Sequence, residues 1–439
     1  MHLVNEPPLG NEPPLMRVTP PGQMAQSSLA SAIATSAPMG PPRSPNLGMV
    51  YAKATGVNVL DEDGNRYVDL GAGFGAMLLG HSHPRIVSTV RQQSDTLLMA
   101  LGDLYPSSVR LELERLLLAT LNCDGWQVLL GQSGSDAITA ALKSAVLATG
   151  KPGVLAFSGA YHGLGHAPLA LCGLREGYRT VFQDQLNAHV QFLPYPMGEA
   201  GSSFVLEQAK DCLKKGGIGA IVIEPILGRG GCVLPPIGFL AELSALTREA
   251  SALLIADEIW TGLGRSGHLS YCQENGVIPD IICLGKGLGG GIPISACLGK
   301  PEVMRHWRRE PEVVHTATFA GAPLASAAAV TTLQVLLSDD LPNRALREGA
   351  RWMDTISEAC DGLPVVVDVR GSGFMIGIDF GGRAGFASTV MFKLLEHGYI
   401  VTTGGGERDV LVLTPPLNID DRHRIPFANT LREVLETLS

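Results

Sequence analysis

Seven short apolar runs, at residues 127–130, 153–157, 190–193, 218–223, 252–256, 281–284 and 294–298, set the strongest constraint on how this chain folds. They are apolar along their length rather than alternating, so each predicts a strand buried on both faces. Helical or glycine-rich segments separate them. That is the pattern of an α/β domain, a mostly parallel sheet covered by helices on both sides. In such a sheet ligands gather at the carboxyl ends of the strands, so the residues just after these runs are the first candidates for chemistry.

The flanks read differently. Residues 51–70 hold two short β-type runs around Asp63-Gly64, a hairpin signal, and ordered structure is expected from about Val50. Beyond Pro323 a long Ala/Leu-rich helical stretch leads into alternating strands at 365–380 and 399–413, an α+β pattern. The expected division is a mobile N-terminal arm at 1–43, the N-terminal part of a small domain at 44–100, a large domain at 101–322 and a C-terminal small domain at 323–439. In the arm, NEPPL occurs twice, at Asn5 to Leu9 and Asn11 to Leu15, and a Ser/Ala/Pro-rich stretch follows. This composition predicts either a disordered leader or an arm that docks on a partner subunit.

Glycine and proline are abundant, at 53 and 29 residues, yet 45% of the 439 residues are apolar and 17% charged, which predicts a globular fold. The net charge of −9, without a long run of either sign, offers nothing to nucleic acid or an anionic membrane. No stretch approaches the roughly 18 apolar residues of a membrane span, and no basic segment followed by an apolar one opens the chain. The eight cysteines are scattered without a CxxC pair, as expected for reduced core residues of a cytoplasmic protein.

Four sites follow the apolar runs. After 127–130, GQSGSDAITAALKSA reads as a tight turn into an Ala-rich helix, where the N–H groups of Gly134, Ser135 and Asp136 could hold a phosphate, or could merely begin a capped helix. After 153–157, Tyr161 and His162 lie in a loop at the same end of the sheet; Tyr161 could stack on a flat cofactor that His162 helps orient, or simply pack. The run 252–256 ends in Asp257-Glu258, and a carboxylate buried there needs a cation, either a protonated ring nitrogen or an Arg or Lys side chain. Lys286, one of only nine lysines, stands between an apolar strand and a glycine-rich turn. Poor solvation there lowers an amine's pKa, as a Schiff-base nucleophile requires; a structural lysine is the other reading. Together these supply a phosphate cradle, a stacking aromatic, a carboxylate for a pyridinium nitrogen and an amine for an aldehyde, the set that pyridoxal 5′-phosphate needs.

In order and spacing, the motifs LGHSHP (79–84), SGSDA (133–137), YHG (161–163), IEP (223–225), DEIWTGLGRSG (257–267), LGKGLGGGIP (284–293), TFAGAPLASAAA (318–329) and TPPL (414–417) resemble the class III, fold-type-I aminotransferases, the group of 4-aminobutyrate, ornithine and acetylornithine aminotransferases. The resemblance implies that Lys286 binds the cofactor's aldehyde and then moves a proton between substrate carbon and cofactor. Asp257 would hold the pyridine nitrogen protonated, Gly134 and Ser135 would bind the phosphate, and Thr318 would reach the same phosphate from the other subunit. Tyr161 would stack on one ring face and Ile259 on the other, with His162 and Glu224 among the cofactor-binding residues. A homodimer with shared active sites is implied. The pairs His81/His83 and His162/His166 have no carboxylate or cysteine at ligand spacing, so no metal is expected.

Three departures bear on the substrate. Where relatives carry an arginine before the C-terminal Pro-Pro, this chain has Val412, so the usual clamp for an α-carboxylate is missing. Where many carry Gln-Gly-Glu it reads Leu227-Gly228-Arg229, and Arg229 could supply the missing charge or form a surface ion pair. Trp260 replaces an often polar residue and makes the pocket edge apolar, whereas Asp136 replaces a glutamate conservatively. The expected activity is transfer of an amino group from an amino acid donor to a ketone or aldehyde, with an ω-amino acid, simple amine or amino sugar as substrate. The alternative is an aminomutase or racemase on the same fold. A cofactor-binding protein without catalysis is the third reading, disfavoured because Lys286, Asp257, Tyr161 and Thr318 occur together.

Overall fold

The computed structural model describes residues 9–37, 48–102, 104–308 and 313–438. Strands β1 (Tyr51–Thr55), β2 (Asn58–Asp61) and β3 (Arg66–Asp69) form an antiparallel meander at the N-terminal end. The large sheet follows, from β4 (Gln127–Gly131), β5 (Gly153–Phe157), β6 (Val190–Leu193), β7 (Ile218–Ile223), β8 (Leu253–Asp257), β9 (Ile281–Leu284) and β10 (Ser295–Gly299). Its order is β4-β10-β9-β8-β7-β5-β6, and only β10 runs antiparallel to its neighbours.

All seven apolar runs are strands of this one sheet, and the reason is visible in β5 and β7. Leu155, Phe157, Ile221 and Ile223 enter the core on one face, while Val154, Ala156, Ala220 and Val222 enter the core on the other. Both side-chain sets of each strand are buried, so the period-2 alternation of a half-exposed strand has no place here.

The C-terminal region adds β11 (Asp368–Ser372), β12 (Met375–Asp379), β13 (Tyr399–Ile400), β14 (Thr402–Gly404) and β15 (Val410–Leu413). Four of these form a separate antiparallel sheet in the order β11-β12-β15-β14. The fifth, β13, returns to the other end of the chain and pairs in parallel with β3, Tyr399 opposite Val68. The helix Pro323–Ser338 joins the regions and is buried nearly all round, with Ala328, Ala329, Leu333 and Leu336 fully covered.

Residues 9–37 differ from the expected mobile arm, and structure begins well before Val50. Leu15 and Arg66 exchange backbone hydrogen bonds, and the Asn58 carboxamide accepts from Gly10 N and Glu12 N while donating to Glu12 O. Asn65 Oδ1 accepts from Arg17 N and Val18 N, and the Asp63 carboxylate caps the helix Gln23–Thr35 through Met24 N and Ala25 N. The docked copy of NEPPL is thus held by polar partners on the β2–β3 hairpin. Residues 1–8 and 38–43 of the expected arm lie outside the described residues.

Candidate active site

The carboxyl ends of β4, β5, β7, β8 and β9 converge, and the first to contribute is the turn after β4. Ser133 caps the helix Gly134–Thr149: its Oγ accepts from Asp136 N, and the Asp136 carboxylate accepts in return from Gln132 N and Ser133 N. Asp136 N, expected with Gly134 and Ser135 to face a phosphate, is taken by Ser133 Oγ and O, which leaves the N–H groups of Gly134 and Ser135 at the positive end of the helix dipole. Close packing shapes this cradle. A Cβ on Gly163, which sits at φ +108°, would stand 2.3 Å from Ser135 Oγ. One on Gly134 would stand 2.9 Å from Ile259 Cδ1, and one on Gly285 3.3 Å from Ile259 Cγ2. Gly134, Gly285 and Ile259 therefore meet directly beside the turn that carries Lys286.

The acidic pair after β8 splits by strand alternation. Glu258 turns into the core, where Thr261 Oγ1, Ser270 Oγ, Tyr271 N and Cys272 N all donate to it, a structural role. Asp257 turns to the cleft. His162 Nδ1 lies 2.6 Å from Asp257 Oδ2, and Ile259 N donates to Oδ1 at 3.1 Å. The group next to Asp257 is thus a histidine rather than Arg or Lys. Burial works against a charged His162, but the Asp257 hydrogen bond and charge outweigh it and leave its pKa raised. His162 Nε2 is buried with no partner among the described residues.

Glu224, just beyond β7, ties two loops together: Tyr161 N donates to Oε1 at 2.6 Å and Gly228 N to Oε2 at 2.9 Å. Burial, with Asp257 adding to it, lifts this carboxyl to about 6 against the opposing pull of His162. Lys286 follows β9 with φ +39°, and its Nζ lies 3.8 Å from the centroid of the Trp260 ring. Burial lowers its pKa to about 8, Arg229 and Arg265 push in the same direction, and Glu224 and Asp257 oppose them.

Trp260 is wedged in place by two glycines. A Cβ on Gly75 would lie 2.3 Å from its Nε1, and one on Gly228 2.3 Å from its Cε3. Its indole N–H is buried without a partner among the described residues. Val412 joins Trp260, Ile226, Cys232 and Met375 in a small apolar cluster. The Arg229 guanidinium stacks 4.7 Å over the Tyr161 ring and makes no ion pair among the described residues. Thr318 is exposed in a loop beside Phe319.

The structure gathers Lys286, Asp257, Gly134, Ser135, Tyr161, His162, Glu224, Ile259, Trp260 and Arg229 around one cleft. The sequence reading did not find the left-handed turn 72–75, where Ala72, Gly73, Phe74 and Gly75 all have positive φ and Gly75 backs onto Trp260. The glycine density of GAGFG was its one signal. It also missed Arg408, discussed below. Among the described residues no cluster of three or more His, Cys, Asp or Glu side chains could hold a metal ion.

Comparison with known proteins gives this geometry its context. Residues 39–435 match the family described as "Aminotransferase class-III". An acetylornithine aminotransferase of Methanopyrus kandleri is 36% identical, the match covering 83% of this chain and 89% of that protein. A putrescine aminotransferase of Pectobacterium atrosepticum is 32% identical, over 89% of this chain and 83% of that one. Among solved structures, an ornithine aminotransferase of Toxoplasma gondii with partial occupancy of pyridoxal phosphate superposes with a TM-score of 0.84, at 28% identity and 94% coverage of both chains.

Proposed function

Because the chain belongs to the class III aminotransferases and is a pyridoxal-phosphate-dependent transaminase of fold type I, we propose that it transfers the amino group of an ω-amino acid, amine or amino sugar. The other partner in the exchange is an amino acid such as glutamate or alanine with its keto acid. The aminomutase and racemase alternative gains no support from these relatives, which are aminotransferases.

The observation that carries this reading is the depressed amine of Lys286 beside the Gly134, Ser135 and Ile259 surface and the His162–Asp257 pair. These groups fit the cofactor: first-turn N–H groups for its phosphate, a carboxylate for its ring nitrogen, Tyr161 and Ile259 for its two faces, and Lys286 for its aldehyde. When bound, pyridoxal phosphate supplies an electron sink that acidifies the amine-bearing carbon of the substrate. Lys286 Nζ would take the proton from that carbon and hand it to the cofactor, which keeps the amino group. Asp257 holds a proton on the ring nitrogen, and the His162 hydrogen bond keeps the carboxylate aimed. Glu224 fixes the backbone of Tyr161 and Gly228, and so the loops on either side of the pocket. Trp260 and Val412 leave no charge on the wall where an α-carboxylate clamp would stand, which favours a substrate whose carboxylate, if any, is remote. Arg229 is the cation to meet it.

A homodimer completes the site in this reading. Thr318, exposed on its own chain, would reach the partner's cradle. Leu98, Leu101, Leu104, Tyr105 and Phe319 are 59–73% exposed, an apolar surface that a second copy would cover. A cytoplasmic location accords with eight free cysteines, most of them buried. No helix among the described residues is long and apolar enough to cross a membrane.

The test is the half-reaction. Purified, cofactor-loaded protein is given single amino donors without acceptor, and the cofactor's visible absorption is followed together with release of the keto or aldehyde product. Loss of the band with an ω-amine or ω-amino acid, reversed by a keto acid, is the expected result. Rearranged substrate formed with no keto acid present would reinstate the isomerase.

A further inference from the structure

A cavity of about 460 Å³ opens beside the active site, between the N-terminal strands and the C-terminal region. Arg229 lines it while its guanidinium rests on Tyr161, so this one residue faces both the cavity and the cofactor-stacking ring. Its charge is also felt at Lys286. A second guanidinium, Arg408 on the β14–β15 hairpin, lines the same cavity. Neither arginine forms an ion pair among the described residues. The carboxylate in the wall, Asp69, is already engaged by His81 Nε2 at 2.8 Å and by the N–H groups of Gly71 and Ala72. Arg229 is partly exposed and Arg408 exposed, so water still reaches both guanidiniums, and a carboxylate entering the cavity would meet two cations in one space.

Tyr51, Phe74 and Phe392 give the wall aromatic stretches, and Ser388, Thr402 and Thr403 add hydroxyls. Phe74 belongs to the left-handed turn that ends at Gly75, against Trp260. The hairpin bearing Arg408 is held to the reacting side of the molecule at two points. Gly405 N donates to the carbonyl of Arg229 itself, and Arg175 Nε donates to Gly406 O at 2.6 Å. Arg408, at φ +55°, is therefore set on a backbone anchored to the loop it must cooperate with.

We infer that this cavity receives the distal, negatively charged end of the substrate, with Arg229 and Arg408 as its two cations. This rests on the transaminase reading above and sharpens it. The amino donor is an amine whose carboxylate stands several bonds from the reacting carbon, across an apolar stretch that Phe74 and Phe392 flank. An α-carboxylate, next to the reacting carbon, would lie against Trp260 and Val412 instead.

The experiment pairs ω-amino acids of graded length with the amines of equal length that lack the carboxylate, and reads the ratio of their kcat/KM values in the half-reaction. Binding of glutarate to the holoenzyme is measured in parallel by calorimetry. The expected wild-type ratio favours the amino acid, falls about tenfold in Arg408→Ala and further in the Arg229→Ala/Arg408→Ala pair, and is partly kept in Arg408→Lys. Glutarate binding weakens in the same order, and raised salt lowers it in wild type. A ratio and a glutarate affinity that do not move in Arg408→Ala overturn the inference. Wild-type protein that converts plain amines as well as amino acids also overturns it, and leaves the transaminase reading intact. Wild-type protein that converts neither sinks that reading, and glutarate binding alone then decides the fate of the cavity.

Discussion

The amine of Lys286 sheds its proton near pH 8, far below the ordinary lysine range, because burial disfavours the cation. The sign follows directly. Above about 8 the nucleophilic, neutral amine predominates; below it the ammonium form accumulates and the Trp260 ring face holds it. Apoprotein should therefore take up cofactor at a rate that climbs roughly tenfold per pH unit up to about 8 and then levels. Stopped-flow absorbance across pH 6.5 to 10 measures this, and a midpoint near 10.5 would contradict the buried-amine argument. Trp260→Phe keeps a weaker ring face and should move that midpoint down, since less then stabilises the cation.

At the level of the elements, the cradle is shaped by glycines whose neighbours leave no room. Gly163→Ala places a methyl 2.3 Å from Ser135 Oγ at a positive φ, so about 1 to 3 kcal/mol of strain is expected. Relief comes from opening the loop, so cofactor affinity should fall about tenfold or more while the thermal transition of the apoprotein drops only a few degrees. Equal loss of stability in apo and holo forms would show a merely structural role. On the other side of the molecule, Asp63→Ala removes the acceptor that caps the helix Gln23–Thr35 and should cost about 1 kcal/mol. Hydrogen exchange confined to residues 9–37 is the readout; unchanged protection there would contradict the docking described above.

These elements also show what was legible in the sequence. The seven runs were readable because a strand buried on both faces has no other composition to adopt. Lys286 and Asp257 were readable because each ends such a run. The docking of residues 9–37 was not, because Asn58, Asn65 and Asp63 satisfy a polar, proline-rich segment through its backbone, and composition registers only the polarity. Trp260 meeting Gly75, and Arg229 sharing a cavity with Arg408, were hidden because each pair is far apart in sequence and no local period connects them.

For the molecule as a whole, the homodimer proposed above, with sites shared between subunits, makes a prediction about mixtures. Lys286→Ala should be inactive, and Thr318→Ala impaired through weak cofactor retention at the partner's cradle. Refolded together, the two should recover activity. In each mixed dimer one site carries both defects and the other neither, so random pairing restores roughly a quarter of wild-type sites. Kinetics on the mixture, with dimer content from sedimentation, checks this; activity no higher than the sum of the separate variants would place each site within one chain.

The parallel pairing of Tyr399 with Val68 also fixes the order in which the protein can be made. During synthesis β1, β2 and β3 leave the ribosome before the large sheet, but their fourth strand lies about 330 residues away and emerges after it. Until then the edge of β3 beyond the Leu15–Arg66 pair, at Val68 and Leu70, offers free N–H and C=O groups, a template for any passing strand. The nascent chain must keep that edge covered or solvated while the large sheet folds behind it, and a truncation before residue 399 would leave it open for good.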